Sequence, residues 1–123
     1  MNSDLQSLTE SLRAFAKERD WEQFHSPKNL ASALAVEAAE LLEHFQWMTE
    51  EQSCDLPVQK KADVAAEAAD VLLYLLQFCD KLQIDLVEAA RLKLIVNAEK
   101  YPVDRARGSS QKYTEIAKPH RGG

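Results

Sequence analysis

The chain has 123 residues, of which 46% are apolar, and its net charge is −5 at pH 7. This length predicts one domain spanning residues 1–123, and the acidic balance argues against a nucleic-acid polymer as a partner, because such binders present a basic face. No apolar run follows Met1, and the longest uncharged stretch, residues 71–79, is far shorter than the ~20 residues that span a bilayer, so we expect a cytoplasmic protein with no membrane partner.

The first half of the chain predicts two helices separated by a short aromatic loop. Apolar residues recur at helical spacing over residues 4–19, which indicates the first helix. Residues 20–25 are predicted to form the loop. Ser26 and Pro27 are typical of a helix start, with serine as the N-cap and proline at the first helical position. The second helix is then predicted to run to about Thr49.

The third predicted helix is the most apolar segment of the chain. It follows a polar connection at residues 50–57, begins at Val58 or Lys61, and runs to Lys81. Between residues 64 and 76 almost every side chain is apolar. A helix of this kind must be covered on nearly every side. We therefore expect a homo-oligomer, and the sequence leaves homodimer and homotetramer open.

A fourth helix is predicted over residues 86–100, because Asp85 and Glu88 have the spacing of a capping box and Pro102 prevents continuation. The remaining residues, about 103–123, are polar and rich in basic side chains, and we predict an irregular C-terminal tail. Four helices joined by short loops predict an all-α fold, specifically a four-helix bundle.

Two pairs of acidic residues stand on the second and third predicted helices: Glu37 with Glu40, and Glu67 with Asp70. Each pair spans one helical turn, so its two carboxylates share a face. Neither pair has a lysine or arginine three or four residues away on its own helix. Spacing alone is also compatible with the solvated faces of amphipathic helices. Four oxygen donors on neighbouring helices nevertheless favour a magnesium site, and magnesium beside carboxylates indicates phosphate chemistry.

A di-iron site is the other metal centre to consider in a helical bundle. Such sites use Glu-x-x-His motifs on paired helices. Here Leu41 lies three residues before His44, and the third helix has no histidine. An all-carboxylate set favours Mg²⁺, with Mn²⁺ as a substitute, over iron or zinc.

Basic and amide side chains line the fourth predicted helix, where Lys93, Asn97 and Lys100 fall at i, i+4 and i+7. This spacing places them on one face. Contact with phosphate groups and simple exposure to solvent remain equally open on this evidence.

The spacing E-x-x-E, then 26 residues, then E-x-x-D resembles the pattern of the MazG-like all-α nucleoside triphosphate pyrophosphohydrolases. The resemblance extends over nearly the whole chain and is strongest for the dCTP pyrophosphatase branch. Its further segments are ERDWEQFHSPKNL (18–30), LEHFQW (42–47), DVLLYL (70–75), NAEKYP (97–102) and RGSSQKYTE (107–115).

The resemblance implies a role for each of several side chains. The magnesium ligands would be Glu37, Glu40, Glu67 and Asp70. The nucleobase and sugar pocket would be lined by Trp21, Trp47 and Tyr74, with His25 and Asn97 as polar readers of the base. The phosphates would meet Lys93, Lys100 and Lys112. For Trp47 and Tyr74, helical spacing alone is also compatible with a place in the core.

The implied reaction is hydrolysis of a nucleoside triphosphate to the monophosphate and pyrophosphate, in which water attacks the α-phosphorus and Glu40 or Glu37 acts as the base. The expected substrate is dCTP or a related pyrimidine deoxynucleotide, and the expected role is nucleotide-pool sanitation. Two alternatives stay open: a non-catalytic helical interaction module, and a hydrolase of the phosphoribosyl-ATP type.

Overall fold

The computed structural model describes residues 3–108, and every regular element in that range is a helix. The all-α class is therefore confirmed. The described residues form two compact units, which divide between Asp85 and Leu86. The helices are α1 (Ser3–Glu18), α2 (Pro27–Glu43), α3 (Glu50–Ser53), α4 (Val58–Lys81), α5 (Leu86–Lys100) and α6 (Val103–Ala106), with a 3₁₀ turn at Glu22–Phe24.

Helix α1 ends in a left-handed turn that places an aromatic residue against the helix. Asp20 has φ of 54°, a conformation that aspartate tolerates better than most residues. The amide of Trp21 then donates to the carbonyl of Ala16 at 2.9 Å. The Trp21 ring packs edge-on against Phe15, with the ring centroids 5.7 Å apart. The predicted loop thus starts where expected, but it contains one 3₁₀ turn.

The predicted start of α2 is confirmed in detail. The Ser26 hydroxyl accepts a hydrogen bond from the amide of Asn29 at 3.1 Å, and Pro27 occupies the first turn. The Asn29 side chain donates to the carbonyl of Phe24 at 3.0 Å, which fastens the preceding turn to the helix. These bonds fix the direction in which α2 leaves the aromatic loop.

The predicted end of α2 at about Thr49 is wrong, because the helix ends at Glu43. The amide of His44 donates to the carbonyl of Leu41, three residues earlier, at 3.3 Å. This tighter turn replaces the four-residue hydrogen-bond spacing of the α-helix. Thr49 then caps a new helix, α3. Its hydroxyl accepts from the amide of Gln52 while the Gln52 side chain accepts from the amide of Thr49. This reciprocal capping box requires an extended Thr49, so it cannot coexist with a continuous helix.

Helix α4 begins at Val58, the earlier of the two predicted starts, and packs against both α1 and α2. The buried apolar side chains among the described residues come from these three helices: Ala16, Leu30, Leu76 and Cys79. Since Leu76 and Cys79 lie near the carboxyl end of α4, the core is centred there. Glu67 and Asp70 of α4 lie nine and six residues before Leu76, toward the amino end of the helix.

The second unit contains α5, whose bounds match the prediction, and the short α6. Residues 103–106 form this helix after Pro102, although an irregular chain was predicted for them. Several large apolar side chains of α5 are exposed, including Leu92, Leu94 and Ile95. Across residues 3–108, no helix has both the length and the apolar composition needed to traverse a bilayer.

Candidate metal centre

Helices α2 and α4 bring three of the four predicted carboxylates together. Glu37 of α2 and the pair Glu67 and Asp70 of α4 each offer an oxygen atom, and these three atoms all lie within 4.8 Å of one another. The one-turn spacing of Glu67 and Asp70 directs both side chains toward α2. The structure thus places residues 30 or more apart in sequence around a single point.

Two of these oxygen atoms are buried without compensation. Oε2 of Glu37 and Oε2 of Glu67 are inaccessible to solvent and have no hydrogen-bond partner in the described part of the chain. A buried acceptor without a partner costs roughly 1–3 kcal/mol, and more when it is charged. A divalent cation at the cluster would satisfy both atoms at once. The donor set therefore fits a hard cation that takes oxygen ligands.

The electrostatics of the cluster confirm the crowding of negative charge. The pKa of Glu37 is raised above the ordinary 4.5, mainly by the adjacent Glu67 carboxyl, and burial raises it further. The pKa of Glu40 is raised as well, mainly by hydrogen bonding to Glu37 and by the charge of that group. Glu40 thus adjoins the cluster through Glu37, although it is not among the three residues that converge.

Among residues 3–85, no arginine or lysine forms an ion pair with these acids. The ion pairs in that range join Arg13 to Asp80 and Arg19 to Glu18. The solvated-face alternative is difficult to reconcile with a buried, unpaired oxygen on each of two helices. The geometry instead matches a site that becomes electrically balanced when a cation binds.

The predicted nucleotide-binding aromatics are accessible rather than buried. Trp47, in the turn after α2, is 89% exposed, and Trp21 is 45% exposed. Trp47 is therefore not a core residue of this chain. Tyr74 is half-buried on α4, one turn beyond Asp70. Each of these rings is available as a packing surface for a planar ligand, and their role in nucleotide binding stays a prediction.

A pocket that the sequence did not reveal lies between α1, the 3₁₀ turn and the carboxyl end of α4. Its volume is about 40 Å³. Its lining combines apolar and polar side chains: Thr9, Leu12, Arg13, Ala16, Glu22, His25, Gln77, Asp80 and Lys81. Only His25 was predicted to belong to a site. Gln77 was recognisable in one respect, because it continues the polar face of α4 beyond Glu67, Asp70 and Tyr74.

The remaining predicted residues lie in the second unit or beyond. Lys93, Asn97 and Lys100 are all on α5, at the helical spacing that the sequence indicates. Lys93 is exposed, whereas Asn97 and Lys100 are partly buried. Their proposed contacts with phosphate and base stay predictions. Lys112 lies outside the described residues.

Comparison with known proteins gives consistent matches over most of the chain. The model of the MazG-like family matches residues 32–116. The chain is 44% identical over 104 residues to dCTP pyrophosphatase 1 of Mus musculus, covering 83% of this chain and 61% of that protein. It is 44% identical over 108 residues to dCTP pyrophosphatase 1 of Homo sapiens, covering 86% of this chain and 62% of that protein. The chain thus spans about three fifths of the length of these curated relatives.

Among solved structures, a pyrophosphatase from Archaeoglobus fulgidus is similar to this chain with a TM-score of 0.77. The two sequences are 40% identical, and the match covers 83% of this chain and 95% of the archaeal one. The two proteins are therefore similar in both fold and amino-acid sequence.

Proposed function

Because the chain belongs to the MazG-like family, we propose that it is a magnesium-dependent pyrophosphohydrolase that converts a nucleoside triphosphate to the monophosphate and pyrophosphate. The proposed substrate is dCTP or a related pyrimidine deoxynucleotide, in keeping with the named activity of the mammalian relatives. The observation that carries the proposal is the convergence of Glu37, Glu67 and Asp70 within 4.8 Å, with two of their oxygens buried and unpaired.

The four acidic side chains supply the groups that this chemistry needs. Glu37, Glu67 and Asp70 would hold the metal, and Glu40 would complete the set from the next turn of α2. A bound magnesium ion would neutralise charge on the phosphates and on the leaving pyrophosphate. Lys93 and Lys100 of α5 are proposed as further phosphate contacts, and Lys112 remains a candidate on sequence grounds.

Bond changes in the proposed reaction are limited to one phosphorus atom. Water forms a bond to the α-phosphorus, and the bond between that atom and the oxygen bridging to the β-phosphorus breaks. Glu40 or Glu37 orients the water and takes its proton, and pyrophosphate leaves with the bridging oxygen. Positioning a base and its water in this way contributes on the order of 10²–10⁴-fold to a rate.

The nucleoside end of the substrate is assigned to the accessible aromatic rings. Trp21 and Trp47 offer exposed faces on which a base can stack, and Tyr74 lies one turn from Asp70, where a sugar would follow the α-phosphate. His25 and Asn97 are the proposed polar readers of the base. Removal of unwanted deoxynucleotides from the cytoplasmic pool is the biological role that fits this activity.

We further propose that the chain associates with itself, as a homodimer or a homotetramer. The buried apolar residues in the described range are few, whereas many large apolar side chains are exposed, including four on α5. Such surface is stabilised when a second copy covers it. The most exposed of these side chains are Leu42, Trp47, Val58, Leu94 and Val103. Light scattering coupled to size-exclusion chromatography tests the proposal, and a monomer at micromolar concentration would refute it.

A pyrophosphate-release screen tests the proposed function directly. Purified protein is incubated with canonical and modified nucleoside triphosphates, with Mg²⁺, with Mn²⁺, and with a chelator. We expect stoichiometric monophosphate and pyrophosphate from a pyrimidine deoxynucleotide, dependent on the metal. Release from no nucleotide, together with no magnesium-dependent thermal shift, would favour the helical interaction module. Activity on phosphoribosyl-ATP with indifference to dCTP would favour the other hydrolase class.

A further inference from the structure

The polar face of α4 continues past the acidic cluster into the pocket between α1 and α4. Asp70 and Gln77 are seven residues apart, so they lie on nearly the same face of the helix and about 10.5 Å apart along its axis. Tyr74 lies between them on that face. A ligand that extends along this face from Asp70 toward Gln77 would therefore reach from the carboxylates into the pocket.

This distance of about 10.5 Å along α4 matches the separation between the two ends of a pyrimidine nucleotide. The α-phosphorus and the exocyclic group on position 4 of a pyrimidine are separated by roughly 10 Å in an extended conformation, from covalent bonds of about 1.3–1.5 Å. The pocket is small, with a volume of about 40 Å³, and it opens to solvent, so it receives the edge of a base rather than a whole nucleoside. Its walls include Leu12 and the buried Ala16, which supply apolar surface for a flat ring.

The amide orientation of Gln77 is fixed by its own helix. Nε2 donates to the carbonyl of Leu73 at 3.3 Å. A carbonyl oxygen can only accept, so the opposite assignment, with Oε1 facing Leu73, would lose this bond. Oε1 has no hydrogen-bond partner in the described part of the chain and is the atom that remains for a ligand. Gln77 therefore offers the pocket an acceptor.

Two charged groups of the pocket lining, Arg13 and Asp80, are paired with each other. Asp80 is held by two bonds from Arg13, Nε to Oδ2 at 2.9 Å and Nη2 to Oδ1 at 2.5 Å. This pair neutralises a carboxylate that would otherwise repel an anionic ligand. It also fixes α1 to α4 at the pocket wall. Gln77 is thus a neutral polar side chain of the pocket lining, one turn before the Asp80 that joins α4 to α1.

We propose that Gln77 is a specificity-determining residue whose Oε1 accepts a hydrogen bond from the exocyclic amine of a cytosine base seated in this pocket. The inference rests on the proposed function and deepens it. Thymine and uracil carry an oxygen at the same position, and two acceptors facing each other would leave both without a donor. Such a site rejects the wrong base because a buried polar group is left unpaired. The chain should therefore prefer dCTP to dTTP.

The test compares kcat/KM for dCTP and dTTP in the full-length protein and in Gln77→Leu, which keeps the approximate size of the side chain but removes the acceptor. We expect kcat/KM for dCTP to fall about tenfold, as loss of one such hydrogen bond predicts, while the value for dTTP stays within about twofold. Gln77→Glu, which retains an acceptor at this position, should preserve the preference for dCTP over dTTP. The matched control is Gln59→Leu, on the same helix and exposed, which should leave the ratio unchanged.

Binding of dCMP and dTMP by calorimetry provides a readout that does not depend on turnover, and Gln77→Met provides a second variant if Gln77→Leu does not fold. Selective loss of dCMP binding supports the proposal. If Gln77→Leu and Gln77→Met both keep the wild-type ratio of kcat/KM for dCTP to that for dTTP, the proposal is overturned while the proposed function stands. Equal wild-type activity on dCTP and dTTP also overturns it. Absence of pyrophosphate release from every nucleotide overturns the proposed function itself, and this inference with it.

Discussion

Glu37 of α2 and Glu67 of α4 face each other with an Oε2 atom of each buried and without a hydrogen-bond partner among the described residues. This arrangement opposes folding in the absence of a cation, because like charges and unpaired acceptors are brought together. It favours folding when a divalent cation is bound. We therefore expect the cluster to lower the free energy of unfolding of the metal-free protein and to raise its affinity for a divalent cation.

Replacing Glu67 with glutamine should stabilise the metal-free protein and remove its response to magnesium. The new amide can donate to Glu37, so we expect a gain of about 1 kcal/mol in the free energy of unfolding without metal. Thermal unfolding with a chelator and with MgCl₂ measures both effects, and turnover should be lost. Glu43→Gln, an exposed acid on α2, should change none of the three. A magnesium-induced stabilisation that persists in Glu67→Gln would contradict the assigned ligand.

The metal-free protein should lose stability as pH rises above about 4.5. The pKa values of Glu37 and Glu40 are raised in the folded state above their ordinary 4.5. The folded state therefore holds protons that the unfolded state has released, and the associated stability is fully present below the unfolded pKa and is lost as pH rises through the folded pKa. Urea unfolding from pH 4.5 to 8 in a chelator measures the slope, which Glu37→Gln should reduce. A slope identical in both proteins would remove this explanation.

The ion pair between Arg13 and Asp80 should contribute stability with the opposite dependence on pH. Hydrogen bonding to the Arg13 guanidinium lowers the pKa of Asp80 below its ordinary 3.8. Its contribution is therefore present above the unfolded pKa and is lost as pH falls through the lowered folded pKa. Because Arg13 is largely exposed, solvent screens the pair and we expect only a small contribution to stability at pH 7.

A double-mutant cycle with Arg13→Met and Asp80→Asn measures this coupling by urea unfolding at pH 7 and again in acid. The coupling should disappear once Asp80 is protonated. Glu18→Gln, which breaks the longer and exposed contact with Arg19 at 3.5 Å, serves as the control and should have no measurable effect. Coupling that is equal at pH 7 and in acid would show that the contact between Arg13 and Asp80 is not ionic in origin.

The parts of this fold that the sequence predicts are those with local signals. Ser26 and Pro27 determine the start of α2 through bonds to residues a few positions away, and Glu37 and Glu67 could be paired because each has an acidic partner one turn on. The end of α2 was missed for a related reason. The capping box of Thr49 and Gln52 is itself a local signal, but the apolar stripe that continues through Phe45 and Met48 suggested an unbroken helix.

Contacts between distant segments had no such signal. Arg13 and Asp80 are 67 residues apart, and nothing near either residue indicates its partner. The pocket that contains Gln77 depends on this contact and on the packing of α1 against α4, so it too was invisible in the sequence. Exposure was likewise unpredictable for Trp47, since a tryptophan at helical spacing is equally compatible with a core position.

Trp47→Ala should reduce substrate binding with little effect on the fold. The ring is 89% exposed, so its removal deletes little internal packing, and we expect the midpoint of thermal unfolding to change by no more than about 2 °C. If the ring stacks on the base, KM for dCTP should rise about tenfold, since such stacking contributes roughly 1–3 kcal/mol. The control is Leu42→Ala, which removes another exposed apolar side chain near the end of α2. It should leave KM unchanged. A fall in thermal stability or in oligomer mass without a change in KM would instead assign Trp47 to the subunit interface.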